Sequence, residues 1–187
     1  MPSQTESPRP TREQLSAARD KRVPDIIRPG LCVLFVGINP GLYSGAVGHH
    51  FARPGNRFWK ALHGGGFTER LLSPAEEREL LSEGIGISNI VARTTAAASE
   101  LTPDELKRGA KALERKVRRY EPRAVAFLGI GAFRVAYGRP TTPIGPQPES
   151  LAGAAVWVLP NPSGLNASYQ LPALSSWFWQ LRRSLDP

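Results

Sequence analysis

Short, largely apolar runs alternate along the chain with longer segments in which apolar residues recur at helical spacing. The runs lie at 32–36, 87–91, 124–128 and 156–159, and the first, third and fourth end at Gly or Pro. Apolar runs of this length are typical of strands that are buried on both faces of a parallel sheet. The pattern therefore predicts an α/β fold, a three-layer α/β/α sandwich with a short, mostly parallel central sheet.

Helices are predicted between these strands and after the last one. The clearest begins at Thr102-Pro103, has acidic residues in its first turn, and carries apolar residues at helical spacing up to Tyr120. By similar criteria, helices are predicted from Thr11 to about Lys21, from near Asn56 to Gly64, from Ser73 to Gly84 and from Leu171 to Leu185, and a short helix is predicted after Gly131 through Tyr137. Loops are predicted at 41–50 and 139–147.

The 187 residues correspond to one ordinary domain. Residues 1–22 are predicted to be an N-terminal arm, disordered at 1–10 and partly helical beyond, and residues 23–187 a single domain. The net charge of +8 favours a polyanionic partner, although a run of basic residues between 107 and 119 is also typical of a solvated helix face.

Composition excludes several classes of protein. The single cysteine, Cys32, allows neither a disulfide nor a cysteine-ligated iron–sulfur cluster within the chain. His49, His50 and His63 have no cysteine or acidic residue at metal-ligand spacing, so no metal site is predicted. No apolar segment reaches membrane-spanning length and no hydrophobic signal region is present, so we expect an intracellular, cytoplasmic protein without a membrane partner.

Two turns that follow predicted strands are the candidate site. The first is Gly37-Ile38-Asn39-Pro40-Gly41 and the second lies within 160–165. Ligands of parallel α/β sheets bind beyond the carboxyl ends of the strands, so the two turns are predicted to face one pocket. Asn, Pro and Gly are also ordinary turn residues, and a purely structural role stays open.

Three further residues are candidates. Phe51 can stack on a flat ligand or fold back onto the core, and Leu165 is an apolar residue in a Gly-Ser turn. Asp104 fits the first turn of a helix, where it complements the helix dipole, and is kept as the alternative catalytic residue.

At residues 37–59 and 159–165, the motifs Gly-Ile-Asn-Pro-Gly, Phe-Ala-Arg-Pro-Gly-Asn-Arg-Phe-Trp and Leu-Pro-Asn-Pro-Ser-Gly-Leu occur in order. They resemble the mismatch-specific uracil/thymine-DNA glycosylases, a branch of the uracil-DNA glycosylase superfamily, and the resemblance extends over roughly residues 30–185.

The resemblance implies a monofunctional hydrolase that flips uracil, and less readily thymine, out of a G·U or G·T mismatch in double-stranded DNA and leaves an abasic site, the first step of base excision repair. It implies a monomer with no cofactor and no metal. Asn39 would position the attacking water. The base pocket would comprise Gly37, Ile38, Pro40, Gly41, Phe51 and Asn161, and the wedge and DNA-backbone contacts Ser163, Gly164, Leu165 and Asn166.

The chain also departs from some relatives. Ala167 and Asn89 stand where certain members carry Arg and Lys, so phosphate contacts are expected instead at Arg53, Arg57 or Arg93. Two alternatives remain: a superfamily glycosylase for another lesion, such as ethenocytosine or a deaminated purine, and a non-catalytic binder of mismatched or abasic DNA.

Overall fold

A five-stranded sheet organises the fold. The computed structural model describes residues 9–186, so the predicted disorder at 1–10 lies mostly outside the described residues. The strands are β1 (Val33–Gly37), β2 (Ile85–Asn89), β3 (Ala124–Leu128), β4 (Gly145–Leu151) and β5 (Ala154–Leu159), in the order β2-β1-β3-β5-β4. All neighbours pair in parallel except β4, which is antiparallel to β5.

Helices cover both faces of the sheet, which confirms the predicted sandwich. They are α1 (Arg12–Ser16), α2 (Leu42–Val47), α3 (Phe58–Gly64), α4 (Pro103–Tyr120), α5 (Ile130–Tyr137) and α6 (Leu171–Leu185), with 3-10 helices at Pro74–Leu81 and Ala98–Glu100. None of the helices within residues 9–186 is long and apolar enough to cross a membrane.

Alternate residues of the central strands belong to two separate cores. In β1, Val33 and Phe35 pack on the side of α3 and α6, whereas Leu34 and Val36 pack on the side of α4 and α5. Phe35 stacks on Phe178 of α6 with ring centroids 5.3 Å apart. Two buried faces explain why the strands are continuous apolar runs.

The structure corrects two predicted loops. Residues 42–47 of the Gly-rich segment form α2, which ends at Gly48 in the left-handed conformation (φ 78°). The segment 139–147 was predicted as a loop that cannot be a central strand, and β4 begins within it, at Gly145. Because β4 is an edge strand, Pro146 can lie in it without removing a central ladder hydrogen bond.

Other element boundaries shift. Strand β2 begins two residues before the predicted 87–91, because Ile85 and Gly86 already pair with Val33 and Leu34 of β1. The first helix ends at Ser16 and not near Lys21. Asp20, with φ 60°, instead donates its amide to the Thr94 carbonyl at 3.1 Å. The segment after Ser73 is a 3-10 helix.

Candidate active site

A cavity of about 430 Å³ opens at the carboxyl ends of β1, β2, β3 and β5. It lies beside the switch point of the sheet, where the chain departs from β1 to either side, the usual ligand crevice of such sheets. The residues that line it are Gly37, Ile38, Asn39, Pro40, Gly41, Ser44, His50, Phe51, Arg53, Asn56, Asn89, Thr95, Ala96, Ala97, Ala98, Leu128, Asn161, Ser163, Leu165 and Asn166.

The two turns predicted from the sequence therefore face one cavity. The Asn39 turn (residues 37–41) and the Leu165 loop (residues 160–169) approach each other at Gly129, the residue after β3. Gly129 has φ 135°, and a Cβ on it would lie 3.1 Å from Ile38 Cδ1 and 3.9 Å from Asn161 Cβ. A side chain at this position would strain the backbone and crowd Ile38.

The carboxamide of Asn39 is held in one orientation. Its Nδ2 donates to the Arg93 carbonyl at 3.0 Å and to Thr95 Oγ1 at 2.8 Å. A carbonyl can only accept, and the Thr95 hydroxyl already donates its own proton to the Ala97 carbonyl at 2.9 Å, so Oγ1 can only accept from Asn39. Both partners therefore require the nitrogen. Within residues 9–186, Asn39 Oδ1 has no hydrogen-bond donor and is left as an acceptor at the cavity.

The same turn carries two unpaired backbone donors. The amides of Ile38 and Asn39 have no acceptor within the described part of the chain. Both residues line the cavity. Adjacent free N–H groups next to a fixed acceptor form a site that can hold a water and an anionic group at once.

Phe51 forms an aromatic wall of the cavity. Its ring stacks on Phe58 of α3, with centroids 4.2 Å apart and an interplanar angle of 27°. Its backbone is left-handed (φ 52°), a strained state for an aromatic residue. A Cβ on Gly37 would lie 3.3 Å from the Phe51 ring and 2.6 Å from Asn89 Oδ1. Gly37 therefore lets both side chains reach the cavity.

A buried network of polar side chains holds the residues that precede Phe51. The Glu77 carboxylate accepts from the His50 amide at 2.8 Å and contacts His49 Nδ1 at 2.9 Å. His50 Nε2 donates to the Pro24 carbonyl at 2.9 Å. With the proton on Nε2, Nδ1 accepts from Asn89 Nδ2 at 3.4 Å. Burial lowers the pKa of His50, so the imidazole is neutral at pH 7.

Leu165 is presented at the apex of a turn that its own residues stabilise. Asn161 Oδ1 accepts from the Ser163 amide at 2.9 Å, and Asn166 Nδ2 donates to the Asn161 carbonyl at 2.9 Å. Leu165 itself is 78% exposed. Gly164 does not line the cavity: it packs on the Gly55 carbonyl, which a Cβ would approach to 2.7 Å.

The three arginines expected at phosphate differ in availability. Arg93 is bound to Glu105 at 2.7 Å and to Asp20 at 3.1 Å, and its hydrogen bond holds the pKa of Glu105 at about 2. Arg57 directs its guanidinium at backbone carbonyls of the Leu165 loop. Arg53 is exposed at the cavity, and its side chain has no hydrogen bond within residues 9–186.

Sequence reasoning assigned no orienting role to two residues that shape this site. Thr95 and His50 act through hydrogen bonds to Asn39 and Asn89, and no local pattern marks them. Asp104, the alternative catalytic residue, is exposed in the first turn of α4 and is not among the cavity-lining residues. In the described chain, no cluster of three His, Cys, Asp or Glu residues could hold a metal ion.

Comparison with known proteins identifies the family. The model of the uracil DNA glycosylase superfamily matches residues 24–185. The chain belongs to this superfamily. The solution NMR structure of a candidate uracil DNA glycosylase from Methanosarcina acetivorans superposes with a TM-score of 0.56 at 18% identity. The match covers 87% of this chain and 98% of that one, and shows a shared fold. Superfamily membership supports a DNA glycosylase, with DNA as its partner.

The neutral state of His50 predicts acid sensitivity in this superfamily member. As the pH falls through about 6.5, the unfolded chain takes up a proton that buried His50 resists, so stability falls by at most about 1.4 kcal/mol per pH unit from this group. Urea unfolding at pH 7.5 and 5.5 will show a smaller loss in His50→Gln than in the parent. His63→Gln, at an exposed histidine, is the control for the substitution itself. An unchanged loss in His50→Gln would contradict the assignment.

Proposed function

We propose that this protein is a monofunctional DNA glycosylase that hydrolyses the N-glycosidic bond of uracil mispaired with guanine in double-stranded DNA. Thymine or ethenocytosine opposite guanine would be further substrates, and the abasic product would enter base excision repair. The protein would act as a monomer. The observation that carries the proposal is the fixed orientation of Asn39, with Oδ1 at the cavity beside two free backbone amides.

Asn39 Oδ1 would hold the attacking water. The glycosidic bond would break through an oxocarbenium-like state, as in sugar hydrolysis, while negative charge develops on the departing base. The free amides of Ile38 and Asn39 would stabilise that charge without donating a proton. An amide cannot take up the proton of the water as a carboxylate can, so that proton would pass through solvent to the departing base anion, and this chemistry suits good leaving groups such as uracil.

The flipped base would lie against Phe51 and meet two carboxamides. Because Asn161 Oδ1 is bound to the Ser163 amide, Nδ2 is the group of Asn161 left to donate to a pyrimidine carbonyl. Asn89, held by His50, supplies the second amide edge. Stacking is tolerant of base identity, and these edges would supply selectivity.

Base flipping is required because the bond lies inside a stacked duplex. It costs a few kcal/mol and costs least at a mismatch. Leu165, apolar and exposed beside the cavity, would fill the space that the nucleotide leaves. The +8 charge and the free Arg53 would favour the phosphate backbone.

The central test is cleavage of a duplex with one G·U pair, measured as alkali-labile breaks under single-turnover conditions. We expect the parent to cut it and Asn39→Ala to be at least about 100-fold slower, since the water is no longer positioned. Asn39→Asp places a carboxylate oxygen against the Arg93 carbonyl, which raises the pKa of that carboxyl. Its rate will therefore rise with pH as the group ionises, whereas Asn39 does not titrate.

DNA binding and thermal melting of the variants are the controls for folding. A parent that binds the G·U duplex and makes no break would be a non-catalytic binder. An Asn39→Ala variant as fast as the parent would reduce Asn39 to a turn residue.

Thr95→Val tests the orientation of the Asn39 carboxamide. It removes one of the acceptors that fix Nδ2, and we expect about a fivefold slower G·U cleavage, equivalent to one hydrogen bond of about 1 kcal/mol. Thr142→Val, at a buried threonine outside the cavity, is the matched control and will cut at the parent's rate. Equal rates in both variants would show that the carbonyls of Arg93 and Pro40 orient Asn39 without Thr95.

Leu165→Ala tests the wedge. Cleavage of the paired G·U duplex is expected to fall about tenfold or more, while cleavage of uracil in an unpaired bubble changes little, because only flipping needs the side chain. Leu71→Ala, at an exposed leucine outside the cavity, controls for general effects. If both substrates lose equally, Leu165 is a packing residue.

A further inference from the structure

One guanidinium holds the Leu165 loop together. Arg57 donates from Nη1 to the Tyr169 carbonyl at 2.5 Å, and from Nη2 to the carbonyls of Ser163 at 2.5 Å and Asn166 at 2.7 Å. These carbonyls flank Leu165 on both sides along the chain. Hydrogen bonds from a charged donor are the stronger ones, and here they close the loop onto a single side chain.

The backbone around Arg57 fixes the same loop. The Arg57 amide donates to the Pro162 carbonyl at 2.9 Å. Gly164 packs against the Gly55 carbonyl so closely that a Cβ would reach 2.7 Å. Arg57 is also the residue before α3, whose first residue, Phe58, stacks on Phe51. The loop and the aromatic wall are therefore built on one rigid element.

The side chain is committed to the loop and to no other partner. Within residues 9–186, no carboxylate forms a salt bridge with Arg57. Its Nε is buried and has no hydrogen-bond partner in the described structure. A buried donor left unpaired is costly, and an apolar side chain would avoid that cost. The three carbonyl contacts are what an arginine supplies here and an apolar residue cannot.

We infer that Arg57 is the positioning residue for Leu165: it preorganises the loop so that the wedge enters the duplex without first being ordered. The inference rests on the proposed glycosylase function. A loop that is already ordered loses little conformational freedom on binding, so its contacts act fully on flipping. Removing the guanidinium leaves the chemistry at Asn39 intact and impairs the step that opens paired DNA.

The test compares paired and unpaired uracil. Arg57→Met removes every donor and keeps an unbranched stem, whereas Arg57→Lys keeps the charge with a single ammonium. Single-turnover rates are measured on a G·U duplex and on uracil in an unpaired bubble of the same sequence. We expect Arg57→Met to lose about tenfold or more on the duplex relative to the bubble, with Arg57→Lys between it and the parent. Lys60→Met removes an exposed charge from α3 and will leave the ratio unchanged.

A double variant separates positioning from general damage. In Leu165→Ala, Arg57→Met should add little, because the loop then carries no wedge to position. Equal losses on both substrates, or full additivity with Leu165→Ala, would overturn the inference. If Arg57→Met does not fold, Arg57→Gln and Arg57→Lys carry the same comparison.

Hydrogen exchange makes the inference independent of activity. Amides of residues 160–169 should exchange faster in the Arg57 variant than in the parent and in Lys60→Met. Unchanged exchange would overturn the inference even if G·U is cut. A parent that cuts neither substrate would instead refute the proposed function, while faster exchange would still support the role of Arg57 in ordering the loop.

Discussion

The site depends on backbone pairing that continues beyond the ends of β1 and β2. The amides of Ile90 and Val91 donate to the carbonyls of Gly37 and Ile38 at 2.9 and 3.0 Å, and the Thr95 amide donates to the Pro40 carbonyl at 3.2 Å. This pairing brings residues 93–95 against Asn39, where a carbonyl and a hydroxyl accept both protons of its amide nitrogen. Asn39 Oδ1 is thus oriented by contacts that backbone pairing brings together, and backbone geometry is stiffer than a chain of flexible side chains.

Glycine residues allow the rest of the cavity to form. At Gly129 the two turns approach each other, at Gly37 Phe51 and Asn89 reach the cavity, and at Gly164 the Leu165 loop packs on the segment before α3. At Gly37 and Gly164 the contact is closer than a Cβ would permit, and at Gly129 the φ of 135° disfavours any side chain. At these points the main chain comes close to the site, where it offers amide groups in fixed positions and little side-chain freedom to lose on binding.

Charge is distributed unevenly around the site. The guanidinium groups of Arg57 and Arg93 are bound within the protein. Lys116 forms a salt bridge with Asp25 and donates a hydrogen bond to Ser88 Oγ. The exposed cation at the cavity is Arg53. A net charge of +8 therefore supports association with DNA without locating the contact.

The sequence by itself determined the four parallel strands, the long helices and the two turns, because each depends on a pattern within one short segment of the chain. Apolar runs predict buried strands, and Thr102-Pro103 predicts the start of α4. Tertiary structure decided the rest. The edge strand β4 has no alternation of buried and exposed residues that would predict a strand. Helix α2 lies in a Gly-rich segment whose composition favours a loop.

The same division holds at the site. Asn39, Phe51 and Asn161 stand out from motifs, whereas the partners that orient polar side chains are distant in sequence. Asn39 meets Arg93 across 54 residues, and Arg57 meets Tyr169 across 112. The sequence alone does not distinguish a polar residue that faces solvent from one that faces a buried carbonyl. Only the fold decides which, because the cost of an unpaired buried group appears once the chain has closed around it.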